Sequence, residues 1–406
     1  MKIVAVSWRD LAHPSAGGAE VLMDRLLRGL AHRGHQVTLV CGGPVSDRGY
    51  EVVDAGGTYS QYLRAPWVCR SRFGNADVII DTENGLPYFT PIWRRKPSIC
   101  LVHHVHTDQW RTRFPAPAAA VCRFMETRVM PAVYRNRTFV AISRSTAADL
   151  QAIGLPAKNI RVIESGVDVP PGEIPEKSQV PLFVSLNRLV PHKRIHLLLE
   201  AWEIACSRIP GRLVVLGDGP QLEDLRRQAA TIPRVEVLGR VSEGTKRRFL
   251  AESWAVVSAA HHEGWGMSVM EAAAVGSPTL ATEAPGIRDS VVDGVTGVLI
   301  RASEEEIPRA FAESWIDLAE DGERRSRMGL AAYRRAAEFT WNRAIDRWLV
   351  VLEEVISSGT TDCQNQHVDS TATSRMSDLS LPIHEVRSTM NPWQEESRGS
   401  SRSPSS

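Results

Sequence analysis

His262-Glu263-Gly264-Trp265-Gly266-Met267-Ser268-Val269-Met270-Glu271, continued by Ala272 to Gly276, places two carboxylates eight positions apart around a Gly-x-Gly turn. The apolar segment before it, Trp254 to Ala259, reads as a strand. Ser268 to Val275 reads as a short helix that Gly276 stops in a left-handed conformation. A strand, a glycine turn and a helix N-terminus in succession form an anion site, because unpaired N–H groups and the helix dipole point at one place. Two acidic side chains beside that place can accept hydrogen bonds from hydroxyls. A ligand that carries both phosphates and many hydroxyls is a sugar nucleotide.

The rest of the chain gives that stretch a setting. Lys2 to Ser7, Gln36 to Cys41, Ala76 to Ile80, Ser98 to Val102, Arg137 to Ile142 and Arg161 to Ile163 are short apolar runs. Between the first two lies a helix, Ala19 to Arg33, with Met23, Leu26, Leu27 and Leu30 on one face. Residues 171–180, with Pro171, Gly172 and Pro175, read as a linker. The alternation then restarts with strands at 181–186, 212–216, 235–238, 254–259, 279–281 and 297–300. Helices are expected at 195–208, 221–230, 304–318 and 324–338. Unbroken apolar strands separated by helices imply parallel sheets covered on both faces. The expected fold is therefore α/β, with two Rossmann-like doubly wound domains at 1–170 and 181–340 facing a cleft. A last helix, 341–357, is expected to pack back toward the first domain. Residues 358–406, rich in Ser, Thr and charge, read as a disordered tail.

With 406 residues, two domains are the natural expectation. No apolar run approaches the ~18 residues that span a bilayer. The six scattered cysteines read as reduced thiols of a cytoplasmic protein. The net charge of +1 hides an asymmetry: residues 1–170 hold 21 Lys and Arg against 14 Asp and Glu, whereas the remainder holds 27 against 33. A basic first half suits an anionic partner, and no nucleic acid is expected. Arg94, Arg95 and Lys96 beside Trp93, then Trp110, Arg111, Arg113 and Phe114, mix cations with aromatics. That mixture suits peripheral contact with the anionic inner face of the cell membrane.

Three further clusters carry chemistry. Gly17 and Gly18 open the first helix and allow close approach to its backbone, although no Gly-x-Gly-x-x-Gly fingerprint is present. Arg188 and Lys193, at the end of the second domain's first strand, can offset charge on a diphosphate leaving group. His103-His104-Val105-His106 follows a strand; alternation sends His103 opposite to His104 and His106, and the nearest acid, Asp108, adds little. No metal is expected, and a cleft histidine suits sugar contact or proton handling.

Taken together, these segments resemble a retaining glycosyltransferase of the large family 4 group, with the GT-B fold, from Met1 to about Ile356. Gly17-Gly18-Ala19-Glu20 is similar to that family's amino-terminal glycine loop. Arg188 and Lys193 match its Arg-x4-Lys pair, and Glu263-x7-Glu271 its paired-glutamate signature. Asp293-Gly294-Val295-Thr296-Gly297 fits the turn that follows. There are departures: Trp265, Met267 and Ser268 stand where the family often has Phe, Leu and Pro, and His103-His104 replaces a His-Asp pair. The resemblance implies transfer of a hexose from a GDP- or UDP-linked sugar with retention and without a metal or other cofactor. His103, Glu263, Arg188 and Lys193 would be catalytic. Gly18, Arg188, Lys193, Glu263, Gly264, Trp265, Gly266, Met267, Ser268 and Glu271 would bind the donor, with Glu271 on the ribose. Gly17, Gly18, His104 and Arg111 would meet a carbohydrate, lipid-linked or small-molecule acceptor. A sugar-nucleotide epimerase, a glycoside phosphorylase and a non-catalytic nucleotide-sugar binding protein are the alternatives.

Overall fold

The computed structural model describes residues 1–107 and 109–374, without the side chains of Thr112, Arg113 and residues 360–374. Two parallel sheets organise the chain up to Gly359. The first comprises β1 (Lys2–Arg9), β2 (Gln36–Gly42), β3 (Glu51–Asp54), β4 (Val78–Glu83), β5 (Ser98–Val102), β6 (Thr138–Ala141) and β7 (Ile160–Val162). Its order is β3-β2-β1-β4-β5-β6-β7. The second comprises β8 (Leu182–Leu186), β9 (Arg212–Leu216), β10 (Val235–Gly239), β11 (Ala255–Ser258), β12 (Thr279–Thr282) and β13 (Gly297–Ile300), in the order β10-β9-β8-β11-β12-β13. Both orders reverse beside the first strand, between β1 and β4 and between β8 and β11. In such sheets ligands bind at the carboxyl ends of the strands flanking that reversal. The glycine loop follows β1, the Arg188–Lys193 loop follows β8, and the Glu263 loop follows β11.

Buried apolar runs explain the strands: every residue of β4 and β5 is buried. Helix Gly18–His32 lays Leu22, Met23, Leu26, Leu27 and Leu30 on the first sheet. In the second lobe Phe183, Trp202 and Trp315 interlock, with the ring centroids of Trp315 5.1 Å from both others. Helix Trp341–Ser374 adds Ile345, Trp348, Val351 and Leu352 to the core of the first lobe.

Several elements differ from the sequence reading. Strand β3 and the helices Gln61–Arg72, Ala116–Phe124 and Glu243–Glu252 were not expected. The helix 61–72 carries Pro66 internally and leaves Leu63 and Trp67 84% and 71% exposed, so it lacks an apolar stripe facing one side. The last helix continues through 358–374, where the sequence suggested a disordered tail; no proline interrupts 341–381, and 375–406 lie outside the described residues. The proposed cation–aromatic surface is also corrected. Arg94 is buried and donates to the carbonyl of Ala76, and Trp110 is buried with its indole N–H on Glu126. Among the described residues no helix is long and apolar enough to cross a membrane.

Candidate active site

The stretch around Glu263 folds much as its residues dictate, with its helix starting one position earlier and ending two earlier. Gly266 takes a left-handed conformation, φ 79°, and starts the helix Met267–Ala273. That helix buries Val269, Met270, Ala272 and Ala273, and leaves Met267, Ser268 and Glu271 partly accessible. Gly276, φ 70°, stops the turn that follows. With 7 residues the helix has a modest dipole, so charged side chains carry more of any anion binding than the sequence suggested.

Those side chains converge. Lys193 is buried at the end of its loop and pairs with the Glu263 carboxylate. Arg188 reaches from the same loop toward the other lobe, where a Cβ on Gly17 would lie 3.4 Å from its Cδ. Among the described residues its guanidinium has no hydrogen bond or ion pair, so it stands ready for an anion. A Cβ on Gly18 would lie 3.4 Å from the Met267 sulfur. The Gly17–Gly18 loop is itself braced: Glu20 accepts from the Gly17 N–H at 2.6 Å and from Arg9 Nε at 2.9 Å. The two glycine signals, far apart in sequence, thus bring their loops together across the boundary between the lobes.

His103 is buried, and burial pushes its pKa down to about 4. It is neutral near pH 7 and can share or accept a hydrogen bond without bringing a positive charge. Its carbonyl lies against the second lobe: a Cβ on Gly264 would be 2.7 Å from that oxygen. The His104 ring packs in a tilted arrangement against His106, with ring centroids 3.9 Å apart, and lies 5.4 Å from His262 of the other lobe. Glu271 forms an ion pair with Lys246 at 2.9 Å. Lys246 was missed in the sequence because a single lysine on an unrecognised helix has no pattern of its own.

Not every expected residue reaches the cleft. The Trp265 ring is buried against Phe339, centroids 5.1 Å apart, so it belongs to the core and only its backbone remains available to a donor. Arg111 is exposed on the short helix Trp110–Arg113, and no hydrogen bond or ion pair links it to the glycine loop. Asp108 lies outside the described residues. Two inter-lobe contacts were not legible in the sequence: the Ser145 N–H donates to Asp289 at 2.9 Å, and Arg288 Nε to the Ser145 hydroxyl at 3.1 Å.

Two doubly wound parallel lobes with a site at their facing strand ends define the GT-B class. The resemblance to solved structures agrees. Sucrose-phosphate synthase from Thermosynechococcus elongatus aligns with a TM-score of 0.72 at 17% identity, covering 88% of this chain and 99% of that one. Anabaena HepE, solved in complex with UDP and glucose, aligns at 0.70 and 17%, covering 87% and 100%. Residues 16–170 match the model of Glycosyltransferase Family 4, and 171–335 that of Glycosyl transferases group 1. The chain belongs to glycosyltransferase family 4. Among curated relatives, the D-inositol 3-phosphate glycosyltransferase of Xylanimonas cellulosilytica is 29% identical over 275 residues, 60% of this chain and 64% of that protein. The Corynebacterium diphtheriae protein of the same name is 30% identical over 209 residues, 48% of this chain and 47% of its own length. The chain spans about half to two thirds of the length of these relatives.

Proposed function

We propose that this protein transfers a hexose from a UDP- or GDP-linked sugar to an acceptor hydroxyl, with retention of anomeric configuration and without a metal at the diphosphate. One observation carries the reading: Arg188 and Met267 meet the Gly17–Gly18 loop of the opposite lobe, and Lys193 from the Arg188 loop pairs with Glu263. A departing diphosphate between them would take Lys193 from Glu263 and free that carboxylate for the sugar hydroxyls. Arg188 would hold the second phosphate bidentately. Glu271, half-buried, would accept from the ribose hydroxyls, and neutral His103 would contact the sugar. Close approach of the lobes limits water and therefore wasteful donor hydrolysis. HepE, of the same fold, was solved with UDP and glucose, and the curated relatives are named for an inositol phosphate. A phosphorylated polyol, free or lipid-borne, is therefore the acceptor class to test first, and the basic first lobe suits it.

Thermal unfolding against UDP-, GDP-, ADP- and TDP-sugars in EDTA tests the donor site. One UDP- or GDP-sugar should raise Tm by several degrees, since a ligand at ~100 times its Kd adds about 2.7 kcal/mol. Glu271→Ala should weaken that donor at least about tenfold, the loss of roughly one hydrogen bond to a charged group. No response to any donor would leave the reading without its substrate. Acceptor-independent conversion of the donor would favour an epimerase, and a requirement for free phosphate a phosphorylase.

A lipid-borne acceptor would bring the first lobe to a membrane. Its exposed apolar side chains include Leu63, Trp67 and Ile92. Arg70 lines the shallow groove that Leu63, Trp67 and Trp93 form, an apolar surface with a cation at its edge that suits an anionic bilayer. Salt-sensitive flotation with anionic liposomes is the expected result; flotation unaffected by salt, or none, removes the membrane from the reading.

A further inference from the structure

Behind the cleft histidines, the first lobe buries three ionisable groups around one point. Glu83 closes β4, His106 follows β5, and Glu126 projects from a five-residue π-helical turn, Met125–Val129. All three side chains are at most 1% exposed. One ligand atom from each lies within 4.8 Å of the others. His106 Nδ1 is 3.6 Å from Glu83 Oε1 and 3.6 Å from Glu126 Oε1. Those separations are too long for hydrogen bonds. Both ring nitrogens of His106 and Oε2 of Glu83 have no hydrogen-bond partner. Buried polar atoms are seldom left so, and an orphaned imidazole nitrogen beside a carboxylate with an orphaned oxygen asks for a shared ligand.

We propose that Glu83, His106 and Glu126 bind a divalent transition-metal ion, zinc being the first candidate. Three N and O ligands each about 2.0–2.2 Å from a tetrahedral ion stand roughly 3.4 Å apart, close to what His106 and the carboxylates show. An imidazole with two carboxylates suits zinc or manganese and disfavours magnesium and calcium, which prefer oxygen alone. The ion would also neutralise two carboxylates that water does not reach. Supporting contacts already fix the carboxylates. The Gly85 N–H donates to Glu83 Oε1 at 2.8 Å, while the His106 N–H and the Trp110 indole donate to Glu126 at 2.5 and 2.9 Å. A π-helical turn is a device found at functional sites more often than elsewhere.

The ion lies apart from the diphosphate site and takes no part in the transfer. It joins β4, the loop that carries His103 and His104, and the helical segment of Glu126. Its role is to position the cleft histidines: the His104 ring packs, tilted by 35°, against the ligand His106.

Metal-stripped full-length protein, without donor, tests this. Zinc should bind at one equivalent by elemental analysis after dialysis and raise Tm by several degrees, and His106→Gln and Glu83→Gln should each abolish both effects. If a variant fails to fold, cobalt(II) titration of the wild-type chain replaces it, with visible absorption bands saturating at one equivalent and zinc displacing them. Zinc binding unchanged in a folded Glu83→Gln variant, or no stoichiometric binding of zinc, manganese or cobalt to the wild type, overturns the proposal. Because no sugar nucleotide enters the experiment, its outcome is independent of the donor panel.

Discussion

Arg188→Ala should lower the rate of sugar transfer by about 10²–10³-fold while leaving Tm almost unchanged. The size follows from removing a preorganised donor to developing negative charge, worth roughly 3–4 kcal/mol in comparable sites. The stability follows from the surroundings: Arg188 is exposed, and no hydrogen bond or ion pair of the described residues depends on its guanidinium. Exposed substitutions of that kind stay within about 0.5 kcal/mol. Lys193→Ala is a weaker test, because it strands Glu263 in a partly enclosed site and mixes a folding cost with the catalytic one. Steady-state kinetics with the responding donor, read beside thermal unfolding, decides the matter. A rate within a factor of three of wild type would remove Arg188 from the diphosphate site.

Gly264→Ala should cost at least tenfold in kcat/KM through geometry rather than chemistry. A methyl group there would sit 2.7 Å from the His103 carbonyl oxygen and 2.8 Å from Ile142 Cδ1, both in the opposite lobe. The isoleucine can rotate away, but the carbonyl belongs to the end of a sheet and cannot. The lobes must then part by several tenths of an ångström. Misplacement on that scale is expensive for a reaction that depends on alignment. Each lobe keeps its own core, so unfolding should change little. Wild-type kcat/KM in this variant would mean that the lobes react without the contact seen here.

How far such features can be read in advance depends on the range of the interactions behind them. β5, β9 and β13 fall on the residues expected, because uninterrupted apolar runs between turn residues determine a buried strand locally. β3 is an edge strand of four residues with only Val53 buried, and gives too little pattern to read. Lys193 and Glu263, expected at one site, do come together, because loops at the ends of neighbouring strands of one sheet converge. Trp265 was misplaced for the complementary reason: membership of a loop does not say whether a ring turns toward ligand or core. The partners of His106 were invisible to spacing. Asp108, two residues away, was the nearest acid and was set aside as adding little; the fold supplies Glu126 from 20 residues away and Glu83 from a different strand. An acidic residue closing an apolar strand, as in Val78 to Glu83, was the one available hint.

The last helix has a mechanical consequence. The chain leaves the first lobe after Asp168 and re-enters it at Trp341. The two passages are bound to each other: the Val167 N–H donates to the Phe339 carbonyl at 2.8 Å, Val167 bridges Thr340, and Gly166 abuts the Trp341 backbone. The lobes are thus joined by a paired ribbon instead of a single thread. A ribbon bends readily across its face but resists twist and stretch. Such a link favours hinge bending over twist, and in the arrangement seen it sets Arg188 beside Gly17. The first lobe is also not a continuous piece of chain. Cut after Asp168, it would lose Ile345, Trp348, Val351 and Leu352 from its core, so the two halves of this protein are joined in folding as well as in catalysis.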